Sequence, residues 1–389
     1  MMKSNILTMI EQAEVEWKPL GDIFEIIAGG DVPKDALSIE KTDEFCIPIL
    51  SNGIGKKALY GWTNQAKINK PSLTISARGT IGWTSYRENP FFPIVRLLVL
   101  TPKVSINLKF AYYFMKMIEN DYKVPESGIP QLTKPMIKDI LIPIPPLELQ
   151  KEIVKRLDIL TELEATLEAE LSLRKKQYHY YRDLLLSENE LAKVGFEWRS
   201  LGEVATKISS GGTPKTGVDE YYNGDIPWLR TQEVNFGEIW DTDIKITETG
   251  VKNSSAKWIP ENCVIIAMYG ATVGKVAINK IPMTTNQACA NIQIDEKILN
   301  YRYLFHYLSS QYEYIKSLGT GSQTNINAQI VKGLQIPIPP LKTQAKIVAI
   351  LDTFDRLTSS ITDGLPKEIE LRRKQYEYYR ELLLGFSQS

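Results

Sequence analysis

Histidine is nearly missing from this 389-residue chain, and cysteine is almost as scarce. The two histidines, His179 and His306, both stand in helical patterns, with no HxH, HExxH or Cys/His cluster. Zinc and metallohydrolase sites are excluded, and no metal ligands are assigned. Three scattered cysteines, Cys46, Cys263 and Cys289, make neither a CxxC pair nor a disulfide framework, which points to a reducing compartment. No run approaches the ~18 apolar residues of a membrane span. The first sixteen residues interrupt short apolar stretches with Lys3, Glu11, Glu14 and Glu16, which is not a signal-peptide pattern. The expectation is a cytoplasmic protein that needs no membrane. Excess charge is missing too: 46 Lys+Arg balance 46 Asp+Glu, so whole-chain charge selects no partner.

Cofactor loops are also wanting. Gly270-Ala271-Thr272-Val273-Gly274-Lys275-Val276 is one residue short of a phosphate loop, has Val where the metal-binding hydroxyl belongs, and runs into a strand-like segment. It reads as a hairpin turn with an exposed Lys275. Asn89-Pro90-Phe91-Phe92 resembles the pocket with which amino-methyltransferases grip a flipped base, but the second proline is absent and no Gly-rich cofactor loop accompanies it. With no nucleophile–base pair, metal set or cofactor loop, no catalytic residue is assigned. The expectation is a non-catalytic recognition or scaffold protein that binds no cofactor itself.

What the chain does have is itself, twice. LRKKQYHYYRDLLL at 173–186 returns as LRRKQYEYYRELLL at 371–384, and IPIPPL at 142–147 returns at 336–341. Trp17-Lys18-Pro19-Leu20-Gly21-Asp22 is echoed by Trp198-Arg199-Ser200-Leu201-Gly202-Glu203. Fixed order and near-fixed spacing indicate a pseudo-twofold tandem duplication of a unit of roughly 190 residues, far longer than solenoid periods. Edges and helices match, while the interiors, about 18–141 and 199–335, barely resemble each other.

From Leu149 to Leu185 an apolar stripe of Ile153, Leu157, Leu160, Leu163, Leu167, Leu171, Tyr178, Tyr181 and Leu185 recurs mostly at three- and four-residue steps. At ~1.5 Å per residue this helix would reach about 55 Å, too long for one small domain to cover. A second stripe runs from Gln344 to Leu384 through Ile347, Leu351, Phe354, Leu357, Ile361, Leu365, Ile369, Tyr376, Tyr379 and Leu383. It holds four extra residues near Asp363-Gly364-Leu365-Pro366, a stutter-sized insertion at which a break or kink is expected. Two stripes of similar length most simply bury each other as an antiparallel intramolecular coiled coil. The fold class is therefore α+β: two loop-rich domains joined by two long antiparallel helices. The expected boundaries are 1–148 for the first domain, 149–186 for the first long helix, 187–342 for the second domain and 343–389 for the second long helix.

Each interior alternates short β-rich runs with Gly-rich turns and closes with a helix, Asn107 to Tyr122 and Leu299 to Leu318. From Lys56 to Lys138 thirteen Lys/Arg face four Asp/Glu, whereas 198–337 has thirteen of each. A basic surface is thus expected in the first domain, and only a local one in the second. The loops set polar, aromatic and basic groups side by side. In the first domain these are Lys56, Lys57, Tyr60, Arg78, Thr80, Trp83, Tyr86, Arg87, Ser127 and Gln131. In the second they are Thr213, Lys215, Tyr221, Tyr222, Trp228, Arg230, Thr231, Tyr269, Thr272, Lys275, Asn286, Gln287, Ser322, Gln323 and Asn325. Arg and Lys bond guanine O6/N7, Asn and Gln bond adenine N6/N7, and Ser, Thr and Lys hold phosphates, so these are candidate DNA-binding residues. The alternative is a two-headed coiled-coil adaptor whose loops bind protein. At the helix ends Tyr180, Arg182, Tyr378 and Arg380 fall off the apolar stripe in both copies, and are candidate partner-binding residues.

Two dissimilar loop-rich domains, each ending in IPIPPL and followed by a helix ending in RKKQYxYYRxLLL or its near copy, resemble the specificity subunits of type I restriction-modification systems over essentially the whole chain. Lys175-Lys176-Gln177-Tyr178, Arg373-Lys374-Gln375-Tyr376 and Gly364-Leu365-Pro366 are similar to the IC-type branch. Gly211-Gly212-Thr213-Pro214, Tyr221 to Trp228 and Asn286-Gln287 resemble its target-recognition domains; the first domain lacks the whole block that runs from Gly211 to Trp228, and Ile47-Pro48-Ile49-Leu50 stands in its place. The resemblance implies that each interior is a target-recognition domain for one half of a bipartite double-stranded DNA site. It also implies that the helices form the spacer and dock two methyltransferase subunits, which carry S-adenosylmethionine, with restriction/translocase subunits as further candidate partners.

Overall fold

The computed structural model of the chain describes residues 3–124, 128–319, 325–360 and 362–387. Contacts divide it into two compact units, Met1–Thr166 with Ile369–Ser389, and Leu167–Glu368. That division departs from chain order: the C-terminal helix belongs with the N-terminal domain, and the long helix is shared. No described helix is long and apolar enough to cross a membrane.

The first unit holds an antiparallel four-stranded sheet in the order Phe24–Ala28, Leu97–Pro102, Ser72–Ser76, Thr84–Arg87. Beside it lies a three-stranded sheet of Leu59–Thr63, Ile47–Leu50 and Phe92–Pro93. Ser72–Ser76 is buried throughout. Its polar side chains are satisfied inside: Ser72 bonds the Thr101 hydroxyl at 2.9 Å and Thr74 accepts from Arg87 Nε at 3.1 Å. The second unit repeats the plan with five- and four-stranded sheets, whose central strands are Val264–Ala267 and Tyr222–Leu229.

The duplicated sequence signatures close each domain on itself. Glu16–Pro19 pairs antiparallel with Leu141–Ile144, setting Trp17 opposite Pro143. Glu197–Ser200 pairs with Gln335–Ile338, setting Trp198 opposite Pro337. The Trp-led echo and the IPIPPL echo are thus the two strands of one staple, and a two-stranded ribbon tolerates its prolines because it is all edge. Buried glutamines reinforce it. Gln150 accepts from the Asn107 N–H at 2.8 Å and donates to the Pro145 carbonyl at 2.8 Å; Gln344 accepts from Asn300 N–H at 2.8 Å and donates to the Pro339 carbonyl at 2.9 Å. Asn107 and Asn300 in turn cap the closing helices Leu108–Met117 and Tyr301–Ser310, each taking two backbone N–H groups on its side-chain oxygen.

The long helix runs unbroken over Leu147–Leu185, directly after Pro145-Pro146. Its partner tract is two helices, Leu341–Ser359 and Leu365–Leu384, broken where the insertion was expected. A Cβ on Gly364 would stand 2.6 Å from the Arg356 carbonyl oxygen, so only glycine fits the bend, and Pro366 sits in the first turn of the second segment. Ile361 of the expected stripe lies outside the described residues.

Within the first unit Arg373 Nε meets Glu164 at 2.6 Å, while Leu383 and Leu384 are buried in the cluster of Leu149, Ile153 and Leu157. The C-terminal helix therefore runs antiparallel to the first half of the long one. Within the second unit Tyr181 stacks on Phe354, ring centroids 5.5 Å apart. Leu163, expected on the stripe, is exposed; Glu164 takes the facing position through its ion pair.

One polar junction occurs in both units. In the second, His306, fully buried, sits between the Tyr178 hydroxyl at 3.1 Å and Asp352 at 2.7 Å, and Arg302 reaches Asp352 at 2.7 Å and Glu238 at 2.7 Å. Burial opposes the charge on Asp352, but hydrogen bonds from His306 and Arg302 outweigh it and hold the carboxyl below its ordinary range. In the first, Tyr113 stands in place of histidine and donates to Asp158 at 2.6 Å, Lys109 pairs with Asp158 at 2.7 Å, and Tyr376 approaches Tyr113, ring centroids 6.4 Å apart.

Candidate nucleic-acid interface

At one edge of each unit the chain turns follow the same hydrogen-bond pattern despite unrelated sequences. In the first unit the Ile94 N–H donates to the Leu50 carbonyl (2.9 Å), Ala77 N–H to Arg96 (2.8 Å), Leu132 N–H to Ala77 (2.7 Å) and the Thr80 hydroxyl to Asn52 (2.7 Å). In the second, Asn286 N–H donates to Leu229 (2.9 Å), Met268 N–H to Ala288 (2.8 Å), Ile326 N–H to Met268 (3.0 Å) and the Thr272 hydroxyl to Thr231 (2.8 Å). Bond for bond, Leu50 corresponds to Leu229, Arg78 to Tyr269, Thr80 to Thr272, Arg96 to Ala288 and Gln131 to Asn325. Ile47-Pro48-Ile49-Leu50 thereby aligns with Ile226-Pro227-Trp228-Leu229.

Glycine is required where these turns are tightest. A Cβ on Gly29 would lie 2.0 Å from the Ile94 oxygen and one on Gly211 1.9 Å from the Thr285 oxygen. The turns that follow Ser72–Ser76 and Val264–Ala267 each carry two glycines at positive φ, Gly79 and Gly82 in one, Gly270 and Gly274 in the other.

In the first unit this edge gathers Arg78, Thr80 and exposed Gln131. Asn52, which sequence reasoning passed over, is its hub: its side chain donates to the Arg78 carbonyl and its own carbonyl accepts from Ser76 and Thr80. Lys56 and Lys57 project from the adjoining turn Gly55–Ala58, tied back by the Ser51 N–H to Ala58 carbonyl bond, and Tyr60 follows, exposed. The other described candidates here are engaged within the unit. Arg87 ends the Thr84–Arg87 strand rather than a loop; it is half-buried, bonded to Thr74, and burial lowers its pKa. Tyr86 packs edge-on against Tyr112, and Trp83 lies under the Lys116 ammonium, 3.7 Å from the ring centroid. All three are partly spent on the fold. Ser127 lies outside the described residues.

In the second unit Thr213 bonds exposed Gln287, Lys215 and Tyr269 are exposed, and Asn325 accepts from the Gly270 N–H at 3.4 Å. Thr231, Thr272 and Asn286 are half-buried beside them. Trp228, expected at the surface, is 5% exposed and donates Nε1 to the Gly212 carbonyl at 2.9 Å. It holds the Gly211-Gly212 turn in place. Tyr222 packs on it and donates to the Pro214 carbonyl, and half-buried Tyr221 has its carbonyl taken by the Thr247 N–H. Arg230 is engaged by Glu233 at 3.4 Å. Lys275, expected to be exposed, is half-buried and reaches Asn235 at 2.7 Å. Gly270–Val276 does form the expected hairpin turn between antiparallel strands. Ser322 and Gln323 lie outside the described residues.

At the helix ends only the tyrosines project: Tyr180 is 63% and Tyr378 61% exposed. Arg182 and Arg380, expected beside them, instead fold back over the rings of Tyr178 and Tyr376, at 5.8 and 5.6 Å. The reason is helical spacing, since a residue four positions on lies on the same face.

Among the described residues no group of His, Cys, Asp and Glu could hold a metal ion. What this geometry offers is two rigid turn clusters of one construction presenting different hydrogen-bonding groups.

Known proteins share this organisation. A family described as the type I restriction modification DNA specificity domain matches residues 13–173 and again 193–371. The chain is 36% identical to a type I restriction enzyme specificity subunit of Escherichia coli, covering 97% of this chain and 96% of that one. It is 33% identical to a Haemophilus influenzae chain assigned as a type I restriction enzyme specificity subunit, covering 99% and 100%. Among solved structures, the S subunit of a type I restriction-modification system from M. genitalium superposes with a TM-score of 0.64 at 16% identity, over 97% of both chains, a likeness of fold.

Proposed function

Because the chain belongs to the type I restriction-modification DNA specificity family, we propose that it is the DNA sequence-recognition subunit of a type I restriction-modification complex. Each unit reads one half of a bipartite site. The observation that carries this is the shared turn scaffold: the same hydrogen bonds hold Arg78, Thr80 and Gln131 in one unit and Tyr269, Thr272 and Asn325 in the other. A constant frame with changed side chains is what two readers of different sequences require, since phosphate contacts position a protein and base-edge contacts specify it. Lys56 and Lys57 supply the phosphate-binding charge in the first unit, Lys215 in the second.

The chain itself carries out no chemical step. Two methyltransferase subunits dock on it and bind S-adenosylmethionine, restriction/translocase subunits join them, and the assembly works in the cytoplasm. Exchanging residues 18–141 for the first interior of another such subunit, with the long helices kept, should change one half of the methylated sequence and leave the other. Methylome sequencing of cells expressing the hybrid with its modification partner reads this directly. Changes in both halves would end the two-reader scheme, and no salt-sensitive binding of duplex DNA by the complex would return the chain to a protein adaptor.

A further inference from the structure

We infer that Arg96, beside Arg78, reads a guanine in the first half-site; the inference rests on the DNA-recognition reading above and names a residue and a base within it. Arg96 holds φ at +72°, one of four described non-glycine residues at positive φ, two of which are asparagines. A bulky side chain is disfavoured there and glycine is not. Strain retained at an exposed position that glycine would relieve points to a use for the side chain.

Its surroundings suggest the use. The Ala77 N–H donates to the Arg96 carbonyl and the Leu132 N–H to the Ala77 carbonyl, so Arg96, Arg78 and Gln131 share one edge. Asn52 fixes the Arg78 backbone from the other side. Among the described residues neither guanidinium has a hydrogen-bond or ion-pair partner, whereas Arg87, Arg156, Arg174, Arg230 and Arg302 are each engaged by other side chains. Lys56, Lys57 and Lys67 add positive charge nearby, Lys67 through its approach to Gly30, whose carbonyl takes the Val95 N–H. Two unengaged guanidiniums on a braced basic edge suit bidentate donation to guanine O6 and N7. In the second unit the corresponding residues are Tyr269 and Ala288, so no guanidinium stands at either place. The arginine pair is private to one reader, as a specificity element must be.

The test uses the full complex, with Arg96→Gly and Arg96→Lys compared with wild type by fluorescence anisotropy on the methylated-site duplex and on duplexes altered at each first-half position. Arg96→Gly removes the guanidinium and relaxes the backbone. Its thermal midpoint should hold or rise, while cognate affinity falls on the order of 10- to 100-fold and preference at one guanine disappears. Arg96→Lys should keep the non-specific binding and lose that preference. Discrimination in the second half-site should stay as in wild type. The inference is overturned by undiminished preference in Arg96→Gly, by a loss equal for every sequence, or by a first half-site without guanine. In each of these outcomes wild-type sequence-specific binding leaves the recognition reading standing. Absence of sequence-specific binding by wild type would remove that reading and this inference together.

Discussion

Gln150 closes two backbone gaps at once and Gln344 closes three. Gln150 satisfies the Asn107 N–H and the Pro145 carbonyl, Gln344 the Asn300 N–H and the carbonyls of Pro339 and Ile298, all around a buried side chain. Alanine in either place strands these groups away from water, at about 1–3 kcal/mol for each buried group left unpaired. Gln150→Ala should therefore destabilise the first unit and Gln344→Ala the second. Hydrogen exchange on the two closing helices measures this, and equal loss of protection in both units for either variant would contradict it. Sequence reading missed these glutamines because each is one polar residue in a helix rich in polar residues, and its value lies in a long-range bond. It also placed Trp228 at the surface, since an aromatic beside glycines reads alike whether it meets a ligand or wedges a turn.

The helices show where periodicity informs and where it stops. It located the long helix and the packed Tyr178 and Tyr376, because a 3.6-residue repeat follows directly from backbone geometry, while the break at Gly364 was legible from the four-residue offset between the copies and from Pro366. It misjudged Leu163, Arg182 and Arg380, whose places depend on an ion pair with Glu164 next door and on rings one turn away. The duplicated staples were legible as echoes, but not the turn scaffold, whose correspondence lies in backbone bonds that leave no trace in side-chain identity. Tyr180 and Tyr378 remain as large aromatic groups left exposed in both copies. Replacing both with alanine should leave the fold intact and reduce co-purification with the methyltransferase subunits, aromatic residues being frequent interface anchors. An undiminished complex with two such subunits would place the docking surface elsewhere.

At the scale of the molecule, the first unit is completed by the last helix. Ile369, Leu383 and Leu384 are buried, and the two leucines join its core beside the half-buried Tyr376 and Tyr379. Three such buried side chains are worth together about 5–9 kcal/mol, comparable with the ~5–15 kcal/mol that holds a whole domain. A chain ending at Glu368 should accordingly lose the first unit's hydrogen-exchange protection while keeping that of the second. Full protection of Leu108–Met117 in the truncated chain would show the helix to be dispensable.

The same arrangement sets a timetable for synthesis. Domains ordinarily fold as they emerge, N-terminal first, at ~5–20 residues per second. Here the domain made first lacks a wall of its core until roughly 220 further residues have been added, a wait of about 10–45 s, while every residue of the second unit is already on hand. The later-made domain is thus the earlier one to be finished, and a chain that stops short of its final helix carries an incomplete first reader.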